Sequence, residues 1–276
     1  MGKKAAKFIT FVVGCAAAWA YAIKPRTKGK PDMSVLLNYD YANGGCHNFK
    51  GKRPENSLSA CEDAMLKGYG VVVDVRLTRD GEAVAFTDRE LWRMCGVEGT
   101  VEKTKLAALK ELCLLNTEEK VPTVKEVLDL IDGQVPVILR LNTWLDNYGT
   151  LCEAVCESLD EYDGVFAVES ADYRAVRWFR QYREGYIRGQ ILEKTLQKTR
   201  TILEGLKSFF HESLLTNVFS RPDYVSVRFC DRQNLSLKLC KFLYFVPVFH
   251  WVIRTMDEYE KSRVEDACVV FEDIEP

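Results

Sequence analysis

Residues 135–142, Val135-Pro136-Val137-Ile138-Leu139-Arg140-Leu141-Asn142, form an apolar β-like run carrying one permanent cation near its end. Seven similar runs accompany it, at 35–41, 71–75 and 83–86 before it and at 165–168, 186–189, 224–229 and 245–253 after it. Helical stretches fall between them, at 57–67, 105–114, 124–131, 151–159, 173–182, 201–214, 234–242 and 257–263. Thr123 followed by Glu126 is a capping-box start for one of these. Alternating strands and helices predict a parallel sheet with its helices outside. Eight strands predict a closed α/β architecture, the (β/α)₈ TIM barrel, with functional groups at the C-terminal strand ends. An open doubly wound sheet is the alternative, but no glycine-rich dinucleotide loop follows the first strand.

The chain has 276 residues, 47% of them apolar and 28% charged, which suits one large domain and excludes disorder, collagen and a multispan membrane protein. With 38 basic against 40 acidic side chains the net charge is -2, too little to collect polyanions, so no nucleic-acid partner is expected. The N-terminus divides into a basic segment (1–7), an uncharged run (8–23) and a basic segment with Pro25 and Pro31 (24–32), expected as a tether to a barrel at 33–276. As a helix the uncharged run rises about 24 Å against a hydrocarbon layer of about 30 Å, so snorkelling lysines would complete a span. Its basic flank, with Trp19 and Tyr21 as an interfacial belt, predicts a transmembrane anchor and a single-pass membrane localisation. A cleaved signal peptide is the alternative, with Ala20-Tyr21-Ala22 as the cleavage-like site. Ten cysteines without paired zinc spacing read as reduced thiols, favouring a barrel facing the cytoplasm, and Cys152 and Cys156 read as core residues.

The strand ends hold the chemistry. In order they carry Tyr41-Ala42-Asn43-Gly44-Gly45, Pro54-Glu55-Asn56-Ser57, Val71-Val72-Val73-Asp74-Val75, Leu77-Thr78-Arg79-Asp80-Gly81, Val84-Ala85-Phe86-Thr87-Asp88, the run ending in Asn142, and Trp251-Val252-Ile253-Arg254. This order and spacing resembles the glycerophosphodiester phosphodiesterase family over nearly everything after residue 32. The resemblance implies a TIM barrel of the phospholipase-C-like phosphodiesterase type and a place in glycerophospholipid metabolism. It implies hydrolysis of glycerophosphodiesters to an alcohol and glycerol 3-phosphate by two histidines and a carboxylate-bound calcium or magnesium ion. The family pattern is Ala-His-Arg-Gly, Pro-Glu-Asn, Glu-x-Asp, Asp-Gly, His-Asp, a later Glu-x-Lys and a Trp on the last strand. This chain retains Ala42, Gly45, Pro54, Glu55, Asn56, Asp74, Asp80, Gly81, Asp88 and Trp251. It departs at Asn43 and Thr87, the two histidine positions, at Gly44 for arginine, at Val72 and Arg140 for glutamates, and at Asn142 for lysine.

Side-chain chemistry leads the same way. Residues two apart on a strand share a face, so Val72 goes with Asp74 and Arg140 with Asn142. If they face the mouth, the site offers one carboxylate, one guanidinium, and the neutral groups of Asn43, Asn142 and Thr87. A hard divalent cation wants several oxygen ligands, and at about 4 Å from a guanidinium with a dielectric near 20 it meets a gross repulsion of roughly 8 kcal/mol. Arginine cannot relieve this by deprotonation. No metal or other cofactor is therefore expected, with calcium or magnesium implied only if the family chemistry survives. Arg140 is expected to stand in for the cation and pair with Asp74, either merely neutralising it or keeping donors free for a phosphate.

Asn43 and Thr87 cannot exchange protons near neutral pH. His47, four residues beyond the motif position, is the weak substitute for a catalytic histidine; His211 reads as packed or surface, and His250 as facing the helical layer. The expected ligand-binding set is Asn43, Glu55, Asp74, Thr87, Arg140, Asn142 and Trp251. Phe242, Tyr244, Phe245, Phe249 and Trp251 are expected in the core, and Arg174, Arg177, Arg180 and Arg183 on a solvated helix face. Three functions stay open. The first is a membrane-anchored pseudoenzyme of this family binding a glycerophospholipid headgroup, glycerol phosphate or protein partner; the second is an active phosphoric diester hydrolase; the third is a scaffold without ligand.

Overall fold

The computed structural model describes residues 2–48, 53–193 and 202–276. Its strands are β1 (Tyr41–Asn43), β2 (Gly70–Leu77), β3 (Ala83–Ala85), β4 (Val137–Leu141), β5 (Phe166–Ser170), β6 (Ile187–Leu192), β7 (Tyr224–Arg228), β8 (Val248–Ile253) and β9 (Cys268–Phe271). Around the ring the parallel order is β1-β2-β4-β5-β6-β7-β8-β9 and back to β1, an eight-stranded TIM barrel, while β3 hangs antiparallel on β2. The helices are α1 (Gly2–Ile23), α2 (Ser34–Leu37), α3 (Leu58–Leu66), α4 (Trp92–Cys95), α5 (Leu106–Glu111) and α6 (Val124–Ile131). They continue with α7 (Tyr148–Leu159), α8 (Tyr173–Tyr182), α9 (Ile202–Glu212), α10 (Asn217–Ser220), α11 (Leu235–Tyr244) and α12 (Met256–Val264).

The apolar runs are continuous because each barrel strand is buried on both faces. On β2, Val71, Val73 and Val75 join the layer under the helices with Val127, Ile131, Leu151 and Val155. Val72 points the other way and meets Tyr41, Ile138, Tyr224 and Phe249 inside the barrel. The Thr123 and Glu126 side chains make both halves of the capping box at the start of α6.

The eight barrel strands are not the eight expected. Residues 83–86 lie on β3, which the Asp80-Gly81 turn folds back so that Ala85 pairs with Val75 antiparallel. The strand closing the barrel is β9, a four-residue run flanked by Asp266 and Glu272, too short to stand out; parallel pairing with β1 and β8 fixes it. Residues 35–41 start as the turn α2, leaving only three residues for β1. Phe245 takes a left-handed conformation (φ 52°) that ends α11, so the expected strand at 245–253 shortens to β8. The aromatic cluster is likewise split: Phe249 is buried, but Phe242 and Phe245 are 77% and 85% exposed because the end of α11 turns them outward.

The expected membrane anchor is overturned. No helix among the described residues is long and apolar enough to cross a membrane. The end of α1 is part of the protein instead: Ile23 is fully buried, and its carbonyl accepts from Asn217 Nδ2 at 3.0 Å and Cys240 Sγ at 3.3 Å. Tyr244 donates to the Ala20 carbonyl at 2.7 Å, and Trp19 Nε1 donates to Ser236 Oγ at 3.2 Å. With residues 19–23 docked, 8–18 rise only about 16 Å. Residues 24–32 do not start as a free tether either, since Pro25 and Arg26 are buried and Arg26 N donates to the Pro222 carbonyl at 2.9 Å.

Candidate functional site

Parallel register places Asp74 of β2 beside Arg140 of β4, and Arg140 beside Glu169 of β5. All three are buried, with Arg140 7% and Glu169 2% exposed. Arg140 Nε donates to Glu169 Oε1 at 2.8 Å, and Nη1 donates to Asn43 Oδ1 at 3.0 Å. The guanidinium carbon lies 4.9 Å from the centre of the Trp251 ring. Burial alone would disfavour the Arg140 charge, but the Glu169 and Asp74 carboxylates outweigh it and raise its pKa.

The expected partner of Arg140 was Asp74; its hydrogen-bonded partner is Glu169. Asp74 is satisfied by neutral donors, Asn142 Nδ2 to Oδ1 at 2.8 Å and the Thr87 hydroxyl to Oδ2 at 3.1 Å. Asn56, held at φ 57°, completes the circuit: its Nδ2 donates to Thr87 Oγ1 at 2.8 Å while its Oδ1 accepts from Asp74 N at 3.0 Å. Glu169 and Asn56 were absent from the expected site. The signal for Asn56 was the Pro54-Glu55-Asn56 motif. Glu169 is an isolated acid in Phe166-Ala167-Val168-Glu169-Ser170, and only its register beside Arg140 identifies it.

Glu169 is itself anchored by the Tyr224 hydroxyl, which donates to Oε2 at 3.1 Å. Burial, then the adjacent carboxylate, pushes the Tyr224 phenol well above its usual range, so it stays a donor. Gly189 makes room for this bond, because a Cβ there would fall 2.3 Å from Tyr224 Cζ. Gly45 does similar work after β1: at φ 79° it packs onto the backbone of Ala60, where a Cβ would lie 2.5 Å away.

The other expected residues sit apart from the Arg140 centre. Glu55 is bound by Arg93 of α4, which also holds Asp88. Val72 is apolar filling deeper in the barrel. His47 pairs with Glu272 (Nε2 to Oε1, 3.3 Å) on the wall of a cavity of about 410 Å³ that Cys46, Lys67 and Ile274 also line, and that neither Asp74 nor Arg140 reaches. Burial opposes the His47 charge, but Glu272 prevails and raises its pKa. His250 faces the helices, with Nδ1 3.0 Å from Ser262 Oγ. His211 lies in α9 with its side chain outside the described residues.

Two buried donors remain open beside each other: Arg140 Nη2 and Trp251 Nε1 have no hydrogen-bond partner. The arrangement therefore offers a guanidinium edge and an indole N–H to an acceptor oxygen, over a ring whose carboxylates are already engaged.

Solved structures share this architecture. A phosphodiesterase from Oleispira antarctica, determined in complex with the product sn-glycerol-3-phosphate, superposes with a TM-score of 0.69 at 21% identity, covering 86% of this chain and 94% of that one. A glycerophosphodiester phosphodiesterase from Thermotoga maritima gives 0.63 at 20% identity, covering 85% and 94%. Among curated proteins, a glycerophosphodiester phosphodiesterase from Caldanaerobacter subterraneus subsp. tengcongensis is 30% identical over 118 residues, 40% of this chain and 49% of that protein. A probable glycerophosphodiester phosphodiesterase 1 from Mycobacterium tuberculosis is 48% identical over 61 residues, 22% of each chain. The chain thus spans about half the length of the first of these relatives, or less. The profile of the glycerophosphoryl diester phosphodiesterase family matches residues 48–237, well over half of the sequence, and the chain belongs to that family.

Proposed function

We propose that this protein binds a glycerophosphodiester or glycerol phosphate at the barrel mouth and does not hydrolyse it. The observation that carries the reading is the pair of open buried donors, Arg140 Nη2 and Trp251 Nε1, on side chains that lie against each other. A relative of the same fold that holds sn-glycerol-3-phosphate supports the ligand class.

The residues present do not fit a catalytic divalent cation. Asp74 and Glu169 are separated in register by Arg140, and the oxygens of both already accept hydrogen bonds. No group of three potential acidic, thiol or imidazole ligands occurs among the described residues. A dication would also meet the Arg140 charge. Neither Asn43 nor Thr87 supplies a proton shuttle: the Asn43 side-chain oxygen is engaged by Arg140, and the Thr87 hydroxyl donates to Asp74. His47 titrates, but in the neighbouring cavity.

Two carboxylates against one guanidinium also favour a monoanion over a dianion. A phosphodiester such as glycerophosphocholine should therefore bind more tightly than glycerol 3-phosphate, in contrast to a site built to hold the monoester product. Titration calorimetry with both compounds, on the wild type and on Arg140→Gln and Trp251→Phe, tests this. The expected result is diester binding weakened about tenfold or more by Arg140→Gln, the loss of one charge-assisted hydrogen bond. Absence of binding, or binding indifferent to Arg140, overturns it. Release of glycerol 3-phosphate from glycerophosphocholine that depends on calcium or magnesium and is abolished by His47→Ala would instead establish the hydrolase.

A further inference from the structure

Arg188 of β6 lies one residue from Ile187, which faces the barrel interior, so its own side chain faces the helical layer. It is 2% exposed; Nε donates to the Ser220 and Arg221 carbonyls at 3.4 and 3.2 Å, and Nη1 has no hydrogen-bond partner. Burial pushes its pKa down to about 10, with the charges of Arg26 and Arg180 working in the same direction and Asp223 opposing them. A buried guanidinium with an open edge carries a desolvation cost that an anion would offset.

Arg188 lines a cavity of about 390 Å³ at the N-terminal ends of β6 and β7, the opposite end of the barrel from Arg140. Its walls hold six cations, Lys24, Arg26, Lys28, Arg180, Arg188 and Arg221, against the carboxylates of Glu184 in the wall and Asp223 beside Arg26, so six minus two leaves a local +4. The whole chain carries -2, so the concentration is specific to this place. Carbonyls orient these groups without neutralising them: Arg180 Nη1 donates to Phe219 O at 2.8 Å, Arg221 Nη1 to Lys24 O at 2.7 Å, and Arg26 Nη1 to Glu184 O at 2.9 Å. Arg180 is exposed, as expected of a solvated face, and borders the cavity. The volume lies in the range of small-molecule sites and exceeds the needs of a single phosphate.

We infer that this pocket binds a phosphate-bearing polyanion of about the size of a diphosphate. Fixed, planar donors with multiple N–H groups suit phosphate oxygens, and lysines at the rim add charge that can follow the ligand. The site is independent of the barrel mouth.

Titration of the full chain with pyrophosphate in about 150 mM salt, where weak surface attraction is screened, tests it. The expected result is one-to-one binding, weakened about tenfold or more by Lys24→Gln with Lys28→Gln. The same charge change at the exposed pair Lys125→Gln with Lys261→Gln, or Arg140→Gln at the mouth, should leave it unaltered. Arg188→Gln should also abolish binding; because it removes a buried group, the lysine pair carries the test if that variant does not fold. Flotation with phosphatidylglycerol vesicles, sensitive to the lysine pair and absent with phosphatidylcholine, would assign the phosphate to a lipid headgroup. Heat without flotation would assign it to a soluble ligand. Neither heat nor flotation, equal weakening by both lysine pairs, or loss only on Arg140→Gln overturns the inference.

Discussion

Arg140 and Glu169 face each other on neighbouring strands inside the barrel, joined Nε to Oε1 at 2.8 Å with side chains 8% and 1% exposed. Removing one partner strands the other charge in a poorly solvated site, which costs about 3–5 kcal/mol. Glu169→Gln should lower the unfolding free energy by about 3 kcal/mol, whereas Arg140→Met with Glu169→Leu should lose clearly less than the sum of the single changes. Urea unfolding of the wild type, Glu169→Gln, Arg140→Met, Glu169→Leu and the double variant checks this; additive losses would mean that the pair is not coupled.

The Tyr224 bond to Glu169 depends on the missing side chain at residue 189. Gly189→Ala would drive a methyl into the Tyr224 ring, at a cost of about 1–3 kcal/mol for overpacking. Tyr224→Phe, which removes only the hydroxyl, should cost about 1 kcal/mol. Thermal melts that rank the two the other way round would contradict the geometry.

Acid should destabilise the fold through His250. Burial pushes its pKa down to about 4, with Lys241 and Arg232 reinforcing the shift and Glu265 opposing it. The unfolded imidazole takes up its proton near pH 6.5, so between 6.5 and about 4 the unfolded state binds more protons and stability falls as pH falls, by up to about 1.4 kcal/mol per unit. His47 has the opposite sign: its raised pKa stabilises the fold below pH 6.5, and that contribution is lost as pH rises through the folded value. Urea midpoints at pH 7.5 and 5.0 should therefore differ less in His250→Gln and more in His47→Gln than in the wild type.

The end of α1 should behave as core. Ile23→Ala, at a fully buried position, should cost about 3 kcal/mol, while Phe11→Ser, on the exposed part of the same helix, should stay within about 0.5 kcal/mol. Equal and small effects in denaturant melts would show that the helix is not docked as described.

Much of the architecture was legible because burial on both faces of a parallel strand leaves an unbroken apolar run, as in 71–75 and 137–141, and because Thr123 with Glu126 announces a helix start. Membership of the barrel was less legible. An antiparallel annex such as β3 is as apolar as a barrel strand, and a four-residue closing strand such as β9 gains its identity only from its two neighbours. The membrane reading failed for a related reason: an apolar helix looks the same whether its partner is lipid or, as for Trp19 and Ile23, the outside of a barrel.

The site divides similarly. The sequence by itself determined that Asp74 and Arg140 share the chemistry of the strand ends and that Asn142 points with Arg140. Alternation along a strand and fixed side-chain charge are local properties, so no coordinates are needed to read them. Tertiary structure alone decided that Arg140 bonds to Glu169 rather than Asp74, that Glu55 belongs to Arg93, and that basic residues scattered from 24 to 221 meet around Arg188. Those pairings depend on register and chain closure between segments far apart in sequence, where a few ångströms settle which opposite charge is nearest.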